Sequence, residues 1–66
     1  MKNGHLIEEA RIASKKYRTR EKLAIKCGVS RNTIYRIERD ENMVPTIATL
    51  HMVCKVLGLD IRKLLD

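Results

Sequence analysis

An all-α fold follows from three features of the chain: apolar residues recur at intervals of three and four, residues that start and stop helices fall between those stretches, and the core must be aliphatic. Two tyrosines stand against no Trp and no Phe. The interior is left to Leu, Ile, Val, Met and Ala, which suits short helices better than aromatic-rich strands. At 66 residues the chain is expected to be one domain spanning 1–66, because a chain of this size buries only roughly 60% of the surface its unfolded form exposes and has room for one core. The expected architecture is a compact five-helix bundle.

Leu6, Ala10, Ala13 and Tyr17 repeat at four, three and four residues, which predicts a first helix from about Asn3 to Lys16 with that stripe turned inward. Thr19 can cap a second helix by accepting from an orphan backbone N–H, and Glu21 in its first turn complements the helix dipole. Leu23, Ala24 and Cys27 fall at helical intervals, and Gly28 ends that helix. Ser30 opens a third helix that runs to about Arg39, with Ile34 and Ile37 one turn apart. Asp40, Glu41, Asn42 and then Pro45 cannot extend it. Pro45 and Thr46 introduce the longest helix, whose stripe is Ile47, Leu50, Val53, Cys54 and Leu57 and whose stop is Gly58. Asp60 can cap a last short helix in which Ile61, Leu64 and Leu65 share a face.

The net charge of +6 is unevenly placed. Between Arg11 and Arg39 ten basic residues meet only Glu21 and Glu38, a net of +8, while the remainder carries −2. This is the electrostatic footprint of a polyanion binder, and it coincides with the second and third helices. These two helices meet at a tight turn. The third presents Arg31, Asn32, Thr33, Tyr35 and Arg36 away from the Ile34 and Ile37 face, a set rich in donors for base edges and phosphates. Thr19, Arg20 and Ser30 lie at helix amino termini, where free N–H groups and the dipole favour phosphate oxygens. Arg18, Lys22 and Arg39 flank them as further phosphate contacts.

From about Arg18 to the carboxyl terminus the chain resembles the phage repressor and Cro-like helix-turn-helix family, often called the XRE family. The resemblance is carried by Leu23, Ala24, Gly28, Val29, Ile34 and Ile37 in the paired helices, and by PTIATLHMVCKVLGLDIRKLL downstream. Ala24 must be small where the third helix crosses it, and Gly28 can take the positive φ of a three-residue turn. The resemblance implies a lambda-repressor-like DNA-binding domain that reads a double-stranded DNA operator. Arg31, Asn32 and Arg36 would touch base edges and Tyr35 and Thr33 would contact them nearby; arginine suits guanine O6 and N7, asparagine adenine N6 and N7. It also implies transcription regulation, most simply repression, by a homodimer whose recognition helices enter successive major grooves roughly 34 Å apart.

Three positions depart from the family pattern. Arg20 stands where relatives usually carry glutamine, Asp40 stands where glycine commonly closes the third helix, and ARIASKKYR is longer than the usual connection, so the first helix is expected to extend by about half a turn. The family reading also makes Glu38 a structural partner of a basic residue in the first helix, here Arg11. Leu59, Ile61, Leu64 and Leu65 form a terminal apolar edge that either closes the core or serves as the dimer contact.

Other chemistries fit poorly. His51 and Cys54, with Cys27 and His5 elsewhere, could be imagined as a metal site, but Cys27 and Cys54 occupy apolar positions and are read as core thiols, and a Cys-His pair has no third group to activate it, so no metal, cofactor or enzyme activity is expected. No run of 18 apolar residues occurs and MKNGHLIEEA lacks a signal-peptide core, so the expectation is a cytoplasmic, nucleoid-associated protein without a membrane role. The competing reading is a protein-interaction module, an antitoxin or adaptor that docks a toxin or antirepressor and binds DNA weakly. RNA binding lacks the aromatic platform that single-strand readers use.

Overall fold

The computed structural model describes residues 1–65 and is helical throughout its regular structure. The elements are α1 (Gly4–Ala13), α2 (Arg20–Cys27), α3 (Arg31–Arg39), α4 (Ile47–Leu57) and a single 3₁₀ turn (Ile61–Lys63). There are thus four α-helices rather than five. The last segment is one 3₁₀ turn, closed by i→i+3 bonds from the Lys63 N–H to the Asp60 carbonyl and from the Leu64 N–H to the Ile61 carbonyl, both 3.0 Å, with the Asp60 carboxylate capping it by accepting from the Arg62 N–H at 3.0 Å. The Arg62 guanidinium on the same carboxylate also holds Asp60 below its ordinary value.

The caps behave as their residue types dictate. Thr19 accepts from Lys22 N, Ser30 from Thr33 N and Thr46 from Thr49 N, at 3.2, 3.1 and 3.2 Å. Each hydroxyl satisfies one orphan donor of the turn it opens. At the other ends, Gly28 has φ 71° and Gly58 φ 70°, and the next residue's N–H returns to the carbonyl four positions before the glycine, Val29 to Ala24 and Leu59 to Cys54. A side chain at position 28 would touch nothing within 4 Å, so its glycine is there for the backbone alone. Gly28→Ala is therefore expected to lower stability by about 1–2 kcal/mol and Gly28→Asn by less, read from thermal unfolding.

Ile7, Leu23, Ile34, Ile37 and Val53 are wholly enclosed, one or two from each helix, and Ala24, Leu50, Cys54 and Leu64 complete the cluster. Each of the larger side chains contributes about 1.5–3 kcal/mol relative to exposure. Cys54 lies in this core and Cys27 packs half-buried against it; burial pushes both thiols above their ordinary value.

Helix α1 differs from its expected form in two ways. Its buried face is Gly4, Ile7 and Arg11, whereas Leu6 and Ala10 are half-buried and Ala13 is exposed. The inward stripe includes an arginine because its charge is matched by Glu38, as described below. The helix also ends at Ala13 rather than extending, since the Ser14 hydroxyl accepts from the Tyr17 N–H at 3.0 Å and turns the chain away. In α4 the expected stripe holds at Leu50, Val53 and Cys54, but Ile47, in the first turn, is largely exposed.

Candidate nucleic-acid interface

Helices α2 and α3 are held to α1 by a network of charged groups. The Glu38 side chain, fully buried, accepts from Arg11 Nε at 2.7 Å on one oxygen and from Arg11 Nη2 at 3.2 Å and Arg20 Nε at 2.8 Å on the other. Arg11 is itself buried, and its Nη1 donates to the Arg18 carbonyl, fixing the end of the α1–α2 loop. Glu8, on α1, accepts from Arg20 Nη2 at 2.9 Å and from Arg39 Nε at 3.1 Å, with Arg39 Nη2 2.9 Å from the same oxygen. Every carboxylate oxygen of Glu38 is matched, as a buried charge requires. The expected pairing of Arg11 with Glu38 is present. Glu8, which no apolar spacing or motif in the sequence singles out, joins three helices.

With Ile34, Ile37 and Glu38 turned inward, the outer face of α3 exposes Arg31, Asn32, Tyr35, Arg36 and Arg39. Thr33 is half-buried and its hydroxyl shares a 2.8 Å hydrogen bond with Ser30, so both hydroxyls serve the cap. Arg36 lies 3.7 Å from the Asp40 carboxylate, a long and exposed pairing that water and phosphate compete with easily. At the amino end of this face Arg20, Arg31, Asn32 and Tyr35 line one depression. The Arg20 guanidinium carbon lies 5.0 Å from the Tyr35 ring centroid, a cation–π contact. The hydrogen bond to Glu38, with attraction from Glu38 and Glu8, raises Arg20 above its ordinary value and keeps it cationic. Arg18, Thr19 and Lys22 are exposed at the amino end of α2, and Arg18 Nε also donates to the Ile12 carbonyl at 3.3 Å.

The four terminal apolar residues do not act as one surface. Leu64 is 5% exposed and belongs to the core, Leu59 and Ile61 are half-buried against it, and only Leu65 is exposed. Asn3 Nδ2 donates to the Leu64 carbonyl at 3.2 Å and ties this turn to the start of α1. Beside Leu65 an apolar groove of about 260 Å³ is lined by Met43, Val44, Pro45 and Ile47 together with the exposed Lys2 and Glu41. Among the described residues no group of three or more His, Cys, Asp or Glu is placed to hold a metal ion, and no helix is long and apolar enough to cross a membrane.

A glycine-turned helix pair braced by a third helix, with a basic second helix facing outward, defines a helix-turn-helix DNA-binding protein. Residues 7–64 match the family described as Helix-turn-helix, and the chain belongs to it, in its XRE type. It is a double-stranded DNA-binding regulator of transcription. No curated protein and no solved structure matches the chain.

Proposed function

We propose that this chain is a sequence-specific regulator, most simply a repressor that occludes a promoter, acting as a single domain and binding a near-palindromic operator as a dimer with α3 in the major groove. The observation that carries the reading is the exposed face of α3, where Arg31, Asn32, Tyr35 and Arg36 stand together above a helix whose other face is sealed in the core. At 1.5 Å per residue, Arg31 to Arg36 spans about 7.5 Å, or roughly two base-pair steps. Arg31 and Arg36 are suited to guanine, Asn32 to adenine and Tyr35 to a thymine methyl, with Thr33 beside them. The exposed Arg18, Thr19, Lys22 and Arg39, the Ser30 turn and the unpaired Nη1 of Arg20 are the phosphate contacts that set the register.

The groove beside Leu65 supports two-fold pairing, because its apolar lining is joined by exposed charges of both signs, Lys2 and Glu41, which a second copy in the opposite sense would match. The dimer surface proposed here therefore centres on Val44, Ile47 and Leu65 rather than on Leu59, Ile61 and Leu64.

Titration of the protein on the DNA upstream of its own reading frame, against scrambled duplex at two salt concentrations, tests the reading. A preference that survives the higher salt is expected, and equal affinity for both duplexes contradicts it. Arg36→Ala is expected to flatten preference at one base position by about 1–3 kcal/mol, whereas Lys22→Ala should weaken all sequences alike and lower the salt slope.

A further inference from the structure

The contact between Arg20 and Tyr35 joins two helices through a side chain whose freedom has been removed. An exposed tyrosine on a recognition helix can turn its ring about two torsions and meet different bases. Here one face of the Tyr35 ring is covered by the Arg20 guanidinium, 5.0 Å from the ring centroid. That guanidinium is fixed by two hydrogen bonds to carboxylates on different helices, Nε to Glu38 at 2.8 Å and Nη2 to Glu8 at 2.9 Å. With both bonds made it cannot rotate. With only the Glu38 bond left, it can swing about Nε towards solvent and uncover the ring. Glu38 is locked by Arg11, so Glu8 is the member that decides between these two arrangements.

We propose that Glu8 is a positioning residue for base readout, which acts through Arg20 to hold the Tyr35 ring in one orientation towards DNA. The proposal rests on the reading of α3 as the base-reading helix. Glu8 touches no base itself. Its effect separates from a merely structural one because removing it releases Arg39 and one side of Arg20 towards phosphate, while Arg20 keeps its bond to Glu38 and Arg11 keeps both of its own, so the lost order falls on the Tyr35 ring.

The experiment uses the duplex that the full chain selects from a random DNA pool, with every single-base variant of one half-site. Glu8→Ala should lose about twofold to fivefold in discrimination at the position that Tyr35→Ala also flattens, keep the wild-type preference elsewhere, and bind scrambled duplex as tightly as the wild type or more tightly. In a Tyr35→Ala background it should remove no further discrimination. Glu8→Gln retains an oxygen acceptor, so it should fall between wild type and Glu8→Ala; it carries the same readout if the alanine variant does not fold at the assay temperature. Unchanged discrimination at the Tyr35 position overturns the proposal, as does a uniform loss across all positions and the scrambled duplex. A wild type that selects no sequence contradicts base reading itself, before any variant is compared.

Discussion

Glu38→Ala is expected to lower folding stability by about 3–5 kcal/mol, the usual cost of removing one partner from a buried ion pair. The Arg11 guanidinium, with a side chain only 8% exposed, would keep the Arg18 carbonyl and a Glu8 oxygen 3.9 Å away. Arg20 would lose the acceptor for its Nε at the same time. A domain of this length holds roughly 3–10 kcal/mol in all, so the variant should lose about a third of its stability or more. Urea unfolding followed by circular dichroism measures the loss. Arg11→Met combined with Glu38→Leu should recover much of it, because the desolvation of both charges disappears together and Arg20 still has Glu8. A loss below about 0.5 kcal/mol for Glu38→Ala, a size usual for surface substitutions, would show that the network does not brace α1 against the helix-turn-helix.

Gly4→Ala is the second large effect, and its sign opposes the usual rule. Within a helix the exchange ordinarily gains up to about 1 kcal/mol. Here the new methyl group would collide with the Ile37 carbonyl oxygen and come within 2.9 Å of the Glu38 Cα and carbonyl oxygen. These are backbone atoms of α3, which cannot rotate aside as a side chain does. Helix α1 must instead lift away from Ile37, an enclosed residue, and from Glu38. The net result expected in thermal unfolding is a loss of about 1–3 kcal/mol. A Gly4→Ala protein that melts at or above the wild-type temperature would mean that α1 and α3 do not approach this closely.

The pair α2 and α3 could be read from the sequence because its signals are local. Thr19 and Ser30 cap within three residues, Gly28 needs its own φ, and once Ile34 and Ile37 face inward the outward residues follow by elimination. Helix α1 was legible only as a helix. Its true inward stripe contains Arg11 and glycine, so apolar spacing selected Leu6, Ala10 and Ala13 instead. The pairing that makes Arg11 tolerable lies 27 residues away, and no periodicity reports it. Glu8 was hidden for the same reason, since an acidic residue on a charged helix face reads as solvated until Arg20 and Arg39 are brought to it by folding. The terminal leucines share a face in sequence, yet the 3₁₀ turn sends Leu64 into the core and leaves Leu65 outside.

The central claim is that α3 reads bases, and selection of duplexes from a random pool by wild type and by Arg36→Ala, side by side, tests it most directly. The wild type should enrich two inverted half-sites whose centres lie about one helical turn apart. Arg36→Ala should enrich the same sequence with one position per half-site gone degenerate, most simply a guanine. Enrichment of no sequence by the wild type, or of an identical sequence by both proteins with no position relaxed, would contradict the assignment of base reading to this face of α3.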